Sequence, residues 1–519
     1  MLEKLNFFKS DKKGSNEGFD STTETKKKHH TLQWYEPGTT KKEKLLIFKL
    51  DFFLLTYACA AFFLKYLDQT NVSNAYVSGM KEDLNMNKDQ LSWMNTYFNI
   101  GIIVGSIPST MLVSYIRPRL YLPAMDALWS LCVLFVYKCN KVEQIYALRF
   151  LMGFFESSAN PATHFLIGAW YKKSEILRRS AFFVISGVIG QAISGFIQGG
   201  LYQHMNGVRG LSAWRWLFIF DAILGIPVIL YGLFAIPDTP QTTKAFYLNE
   251  WERKRCVERI DEDGRTPTGK WDMTIFKRIF GSWQFYVFIV AYSLWSLTGG
   301  NYVMQFYTLY LKYTGDYTIP QVNYMPTSMS CVNLVCMLSS GIVSDLIGKR
   351  WPFLLFVGTI LIFTYSVMLS SGASHHLRLA AYTMTGAYGC FTPVLAGWCN
   401  ISCGGDQHLR AATQASMIVV GQIVVTPFQQ ELFPSSDAPF YRKTKGFAYG
   451  LAFVICLTFW TVVVIPMVES HFEKKKQKND SPVELDSQID NSTDSLSDER
   501  VKSIHVQNTG KDEGRANAV

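Results

Sequence analysis

FFLKYLDQTNVSNAY, residues 62–76, is a polar interruption near the far end of a long apolar segment. The apolar segment begins near Leu45, so at about 1.5 Å per residue Asp68 lies past the middle of a hydrocarbon layer roughly 30 Å thick. Ionisable groups at that depth cost free energy and are therefore usually functional. Lys65 and Asp68 are three residues apart and share one helix face. The alternative is a helix end, whose polar residues reach the outer headgroups and only cap it.

The composition of the whole chain is that of a polytopic membrane protein. Of its 519 residues, 48% are hydrophobic and 15% aromatic, and the mean hydropathy is positive. The formal net charge of +9 comes from short Lys and Arg clusters beside apolar segments, which indicates topology and argues against nucleic acid as a partner. The ten cysteines lack metal-ligand spacing, so we predict free thiols and no metal site. Motifs for a nucleophile or a phosphate loop are also lacking, so we predict no enzyme activity and no cofactor.

Apolar segments long enough to cross a bilayer recur along the chain. We predict twelve, divided into six and six by a polar segment of about 45 residues. Lys and Arg are concentrated in alternate loops, which predicts that both termini face the cytoplasm. The predicted spans cover residues 45–67, 92–115, 120–138, 143–166, 180–202, 216–235, 283–311, 321–345, 351–371, 378–400, 411–433 and 446–467.

The chain therefore divides into five regions, and we predict an all-α membrane protein with two six-helix halves. Residues 1–44 form a cytoplasmic tail, 45–235 the N-terminal half and 281–468 the C-terminal half. Residues 236–280 form a cytoplasmic central loop, in which YLNEWERKRCVERI predicts an amphipathic helix, with a solvated linker as the alternative. Residues 469–519 are rich in Ser, Asp, Asn and Lys, which predicts a disordered cytoplasmic tail accessible to kinases or ubiquitin machinery.

The end of the eighth predicted span carries a local motif, GIVSDLIGKR, residues 341–350. It is similar to the G-x-x-x-D-x-x-G-x-R/K loop motif of major facilitator transporters, which implies two halves that rock about a midplane cavity. The glycines permit close helix approach, and the carboxylate braces the cytoplasmic gate by pairing with cations and a helix terminus. The residues predicted to act in gating are Gly341, Asp345, Gly348, Lys349 and Arg350.

The fourth predicted span places Arg149, Gly153 and Glu156 on one helix face, at i, i+4 and i+7. Arg149 and Glu156 can form a structural ion pair, or Glu156 can be a titratable carboxylate tuned by a nearby cation and by burial. The pattern resembles the R-x-x-x-G-x-x-E of the anion:cation symporter family. Ser157 stands where many members of that family have Gly.

The resemblance extends along most of residues 45–470. Five segments are similar to the fungal allantoate permease branch, namely KYLDQTNVSNAYVSGMKEDLNM, THFLIGAWYKKSEILRRSAFF, GLSAWRWLFIFD, IPDTPQTTKAFYLNEWER and WCNISCGGDQHLRAATQAS. The first of these segments is similar to the pantothenate permeases of that branch. The resemblance implies proton-coupled uptake of a small organic anion at the plasma membrane, with a vitamin monocarboxylate such as pantothenate as first candidate. The alternatives are biotin, nicotinate, allantoate or a sulfur compound as substrate, and a non-transporting nutrient sensor as function.

By resemblance, Asp68 and Glu156 are the proton-coupling carboxylates, with Arg149 beside them. Many relatives have Arg after the Asp of the first span, whereas this chain has Gln69, which can hydrogen-bond a substrate and cannot offset its charge. We therefore expect Lys65, one turn before Gln69, to bind the anion together with Arg149 after leaving Asp68. The alternative is that Lys65 snorkels to the headgroups.

A second group of substrate-binding candidates lies in the seventh predicted span. Asn301, Tyr302 and Gln305 follow Gly299 and Gly300, where a helix can bend or unwind beside a ligand. Polar side chains inside membrane helices also bond to neighbouring helices, which is the alternative for each of the three.

Overall fold

The structure is a computed structural model that describes residues 34–35, 38–87, 89–263, 273–299, 302–347, 349–403 and 406–475. These ranges contain helices and loops and no β-strand. Most of the predicted N-terminal tail and most of the predicted C-terminal tail lie outside them. The described part of the chain therefore has the all-helical structure that the sequence predicts.

Helices α1 to α7 build the N-terminal half. Their bounds are α1 Lys41–Asp83, α2 Gln90–Tyr115, α3 Pro118–Phe135, α4 Val142–Glu156, α5 Ala159–Trp170, α6 Lys173–Met205 and α7 Ala213–Ala235. α1 has π-helical turns at Asp51–Leu55 and Tyr76–Met80, and it is kinked at Ser78 and Gly79 within the second of them. Gly79, at φ +113°, lets the chain bend at the second of these turns.

Two short helices, α8 and α9, lead into the C-terminal half, which is built from α10 to α18. The bounds are α8 Glu250–Glu262, α9 Met273–Phe280, α10 Trp283–Leu297, α11 Val303–Thr314, α12 Ile319–Tyr324, α13 Thr327–Ile347, α14 Trp351–Leu369, α15 His375–Met384, α16 Phe391–Ser402, α17 Gln407–Leu432 and α18 Gly446–Lys475. A 3₁₀ segment, Thr385–Cys390, joins α15 to α16.

Seven of the described helices are long and apolar enough to cross a bilayer, namely α1, α3, α6, α7, α14, α17 and α18. Two of the other predicted spans are broken in the described structure. The span predicted at 143–166 is split into α4 and α5 by a turn at Ser157 and Ser158, and the one at 283–311 is split at Gly299, which has φ +72°. Transporters place such breaks beside a cavity, because irregular backbone at membrane depth must be shielded from lipid.

Two close contacts fix the helices that carry the candidate site. α1 packs along α6 and α7, and α2 packs along α4. A Cβ atom at Gly190 of α6 would lie 2.3 Å from the Phe63 carbonyl oxygen of α1. A Cβ atom at Gly153 of α4 would lie 2.1 Å from the Phe98 carbonyl oxygen of α2. Only glycine fits at these distances, so both glycines set how closely the helices approach.

The polar segment between the halves contains α8, which packs against the N-terminal half. Lys49 pairs with Glu252 at 2.8 Å, and Arg259 pairs with Glu43 at 2.8 Å and with Glu175 at 2.7 Å. Arg259 is 1% exposed, so its charge is enclosed by these carboxylate partners. The segment is therefore a helix bound by ion pairs to the beginnings of α1 and α6, and the solvated-linker alternative does not hold.

Candidate functional site

The polar face of α1 is buried. Lys65 is 4% exposed, Asp68 7% and Asn71 0%. The regular α-helix continues to Ala75, about two turns beyond Asp68. These side chains therefore lie inside the helical bundle and not at the end of the helix.

Glu156, at the end of α4, is held by two side chains of α1. Lys65 Nζ lies 3.5 Å from Glu156 Oε1, and Gln69 Nε2 donates a hydrogen bond to the same oxygen at 2.6 Å. The other oxygen, Oε2, has no hydrogen-bond partner within the described ranges. The sequence analysis expected Lys65 to pair with Asp68 on its own helix face. The structure pairs it with Glu156 instead, because its long side chain reaches across to α4.

Arg149 has no carboxylate partner among the residues described. It is 2% exposed, and its Nε and Nη1 atoms make no hydrogen bond to the described part of the chain. Its guanidinium carbon lies 4.3 Å from the ring centroid of Phe98, which the contact at Gly153 brings close. A cation–π contact offsets part of the desolvation of the guanidinium and leaves the hydrogens on Nε and Nη1 available. The structural ion pair between Arg149 and Glu156 is thus not formed, and Arg149 can receive an anion.

Two further buried carboxylates were missed by the sequence analysis. Asp221 of α7 accepts a hydrogen bond from Asn71, and its carboxyl group lies close enough to that of Asp68 to interact with it. Asp126 of α3 accepts a hydrogen bond from the Tyr57 hydroxyl at 2.5 Å. Both aspartates stand alone in predicted spans, so the cost of a charge at membrane depth, which singles out Asp68, also applies to them.

Five ionisable side chains thus meet inside the N-terminal half. We call Lys65, Asp68, Arg149, Glu156 and Asp221 the charge cluster. Asp68 interacts electrostatically with Glu156 and Arg149 as well as with Asp221, so no member can change its charge without affecting the others. The cluster holds two cations and three carboxyl groups, and it is neutral when one carboxyl group carries a proton.

The candidates of the seventh predicted span lie where the two halves meet. α10 ends at Leu297 and α11 begins at Val303, so the helix does break there. Asn99 of α2 donates to the Tyr302 hydroxyl at 2.7 Å, and Asn95 donates to Gln305 Oε1 at 2.8 Å. Asn301 lies outside the described residues. Tyr302 and Gln305 therefore join the halves through α2, whose two asparagines the sequence analysis did not select.

The predicted gating residues follow one another at the end of α13. Gly341 lies in the helix, and a Cβ atom there would meet no heavy atom of the described chain within 4 Å, so it does not serve close helix approach. Asp345 lies in α13, but its side chain and the whole of Gly348 lie outside the described part. Lys349 is exposed, and the Arg350 guanidinium carbon lies 5.9 Å from the ring centroid of Trp398.

Comparison with known proteins places the chain in a family. Residues 58–428 match the family described as Major Facilitator Superfamily. The chain belongs to the Major Facilitator Superfamily. The facilitator fold is also that of the D-xylose-proton symporter, whose crystal structure matches with TM-score 0.59 and 14% sequence identity over 80% of this chain and 97% of that one. Its members are transporters, so the prediction that the chain is not an enzyme is confirmed.

Two relatives match this chain over most of its length. The MFS transporter PfmaC of Pestalotiopsis fici is 54% identical over 451 residues, which are 87% of this chain and 85% of that protein. The pantothenate transporter liz1 of Schizosaccharomyces pombe is 32% identical over 445 residues, which are 85% of each chain. The resemblance to pantothenate permeases that the sequence analysis stated is therefore confirmed.

The ion pair at the centre of the site predicts a coupled effect on stability. Removing one partner of a buried pair leaves an uncompensated charge, at a cost of about 3–5 kcal/mol. We expect Lys65→Met and Glu156→Gln each to lower the thermal stability of the detergent-purified protein strongly, and the double variant to cost less than their sum.

Lys312 and Glu82 supply a more exposed pair for comparison, at 2.9 Å with side chains 18% and 59% exposed. Lys312→Met and Glu82→Gln should each cost less than about 1 kcal/mol and show little coupling. Equal, additive losses in the two pairs would contradict the assignment of a buried pair at Lys65 and Glu156.

Proposed function

We propose that this facilitator takes up a small organic monocarboxylate together with protons, with pantothenate as the first candidate substrate. Arg149 is the observation that carries the proposal, because it is buried and has two N–H groups that lack a partner among the described residues. A substrate carboxylate can accept charge-assisted hydrogen bonds from these donors. The name of the relative liz1 supplies the candidate substrate, at 32% identity.

We also propose a membrane topology and a family branch for this chain. We infer twelve spans with both termini in the cytoplasm of a plasma-membrane protein, because Lys and Arg are concentrated in alternate loops. We also infer membership of the allantoate permease branch of the anion:cation symporters, which the spacing of Arg149, Gly153 and Glu156 supports. The motif at 341–350 would then brace the cytoplasmic gate.

Proton coupling follows from how Glu156 is held. In the structure its carboxylate forms an ion pair with Lys65 and accepts a hydrogen bond from Gln69. A proton on Glu156 removes that charge, so Lys65 is free to stand beside Arg149 and contact the anion. Proton and substrate then favour each other's binding, which is the reciprocity that a symporter requires. Asp68 is the second carboxylate whose protonation sets the charge of the site.

The contacts between the halves tie substrate binding to movement. Tyr302 and Gln305 are held by Asn99 and Asn95 of the other half, and Tyr302 is close enough to interact electrostatically with Arg149. Polar groups of a substrate can take over these hydrogen bonds. When hydrogen bonds to the substrate replace the hydrogen bonds between the two halves, the halves can rock about the loaded site.

Without protons the substrate could not be concentrated. An anion entering against an inside-negative potential is opposed by about 2.3 kcal/mol per charge per 100 mV. One accompanying proton makes the step electroneutral, and two make it driven by voltage. We expect uptake to be faster at acidic external pH and to collapse with a protonophore.

Glu156→Gln separates coupling from binding. The neutral amide mimics the protonated state, so the variant should lose accumulation of labelled substrate while counterflow exchange is partly kept. Both are measured in cells that lack their own permeases, with surface expression matched to that of the unaltered protein. Continued accumulation against the gradient by Glu156→Gln would show that Glu156 is not the coupling site.

The charge of the substrate is tested by competition. Uptake of labelled pantothenate should be inhibited by free carboxylates from a panel of vitamins and organic acids, and not by their amides or esters, because only the anion can engage Arg149. Arg149→Met should raise the KM about a hundredfold, and Arg149→Lys less, since Lys keeps the charge without the fork. The exposed Lys244→Met is the control.

Two results would contradict the proposal. Equal competition by neutral amides would show that the site does not select an anion. The absence of uptake of every compound in the panel, with normal surface expression, would favour a nutrient sensor that has kept the fold.

A further inference from the structure

Two carboxyl groups of the charge cluster lie against each other inside the N-terminal half. Asp68 of α1 and Asp221 of α7 are 7% and 4% exposed, and their carboxyl groups lie close enough to form a hydrogen bond when one of them carries a proton. Asn71 donates a hydrogen bond to Asp221, while Oδ1 of Asp221 has no N–H or hydroxyl donor among the described residues. We call Asp68 and Asp221 the acid pair.

We propose that the acid pair is a proton-binding site in which one proton is shared by two carboxyl groups. Two ionised carboxylates in this contact repel each other, and neither has a hydrogen to donate. A proton on either group converts the contact into a charge-assisted hydrogen bond. The pair then carries one negative charge under conditions in which two isolated carboxyl groups would carry two.

Hydrogen bonds from α6 fix the direction in which the acid pair is held. Ser194 donates to Asn71 Oδ1 at 2.6 Å, and Asn74 donates to Ser194 at 2.7 Å. Because its oxygen is engaged by Ser194, Asn71 presents its amide N–H₂ to Asp221. That donor stabilises an ionised oxygen of Asp221 and cannot accept a proton from it, so the shared proton lies between the two carboxyl groups.

The charged groups that face the acid pair make the charge cluster neutral when the pair holds one proton. From α4, Glu156 places negative charge and Arg149 positive charge near Asp68. Lys65, on the same helix as Asp68, is engaged by Glu156. With one proton in the acid pair, the two cations are balanced by Glu156 and by the pair. A monoanion that binds at Arg149 then needs one further proton, and this step rests on the proposed function.

The shared proton can be observed directly by infrared spectroscopy of the purified protein, without substrate. At neutral pH an isolated aspartate, with a pKa of about 3.9, is ionised, so the C=O stretch of a protonated carboxyl group should be present only because the acid pair holds its proton. Difference spectra should show that Asp68→Asn and Asp221→Asn each lose this band, because the amide supplies the hydrogen in place of the shared proton. Glu82→Gln, which removes an exposed carboxylate, should lose only an ionised-carboxylate band.

The spectra also define what overturns the proposal. If both variants lose only an ionised-carboxylate signal, or if the unaltered protein lacks the protonated band at neutral pH, the acid pair holds no proton. The second criterion needs no variant, so it stands even where a substitution prevents folding. Neither depends on transport, so the infrared result is independent of whether uptake is proton-coupled.

Transport supplies a second readout. The two single variants should resemble each other in the pH profile of uptake, because each leaves one carboxylate and one amide in the pair. The double variant Asp68→Asn/Asp221→Asn removes the remaining negative charge, so its KM for pantothenate should fall about tenfold at neutral pH and vary little with pH. Unlike profiles for the two single variants would show that one aspartate acts alone and would overturn the shared site.

Discussion

The Lys65–Glu156 ion pair determines which charges in the site remain available. Lys65 and Gln69 of α1 both contact one oxygen of Glu156. The carboxylate on α4 that could have paired with Arg149 is therefore bound by side chains of another helix. Arg149, two turns earlier on α4, is therefore left with an aromatic ring instead of a carboxylate. A desolvated guanidinium with unsatisfied N–H groups is costly, and an anionic ligand that accepts hydrogen bonds from them lowers that cost. Protonation of Glu156 redistributes the same charges, which is how a proton can change anion affinity.

The fold supplies the geometry that this arrangement needs. Gly153 brings α4 against α2, so Phe98 stacks beside Arg149, and Gly190 brings α6 against α1. The break after Glu156 ends α4 where Lys65 and Gln69 reach it. Across the interface, Asn95 and Asn99 bind the segment that follows the break at Gly299. The charged groups thus lie in one half, next to the hydrogen bonds that join this half to the other.

Much of this could be predicted from residues and spacing. The cost of a charge in an apolar span singled out Lys65, Asp68, Arg149 and Glu156, and all four meet in the structure. The same rule applies to Asp126 and Asp221, which also lie in apolar spans. Partner choice could not be predicted, because residues that share a helix face, such as Lys65 and Asp68, have competing partners on other helices. That choice depends on how helices distant in sequence are placed.

The most direct test of the account is the number of protons that enter the site with each anion. Calorimetric titration of the purified transporter with pantothenate, repeated in buffers of different ionisation enthalpy at one pH, measures this number. The account predicts uptake of about one proton per bound anion near neutral pH, because the neutral charge cluster must gain a proton when it gains a negative charge. A binding heat that is the same in every buffer would mean that the anion binds without a proton, and would contradict it.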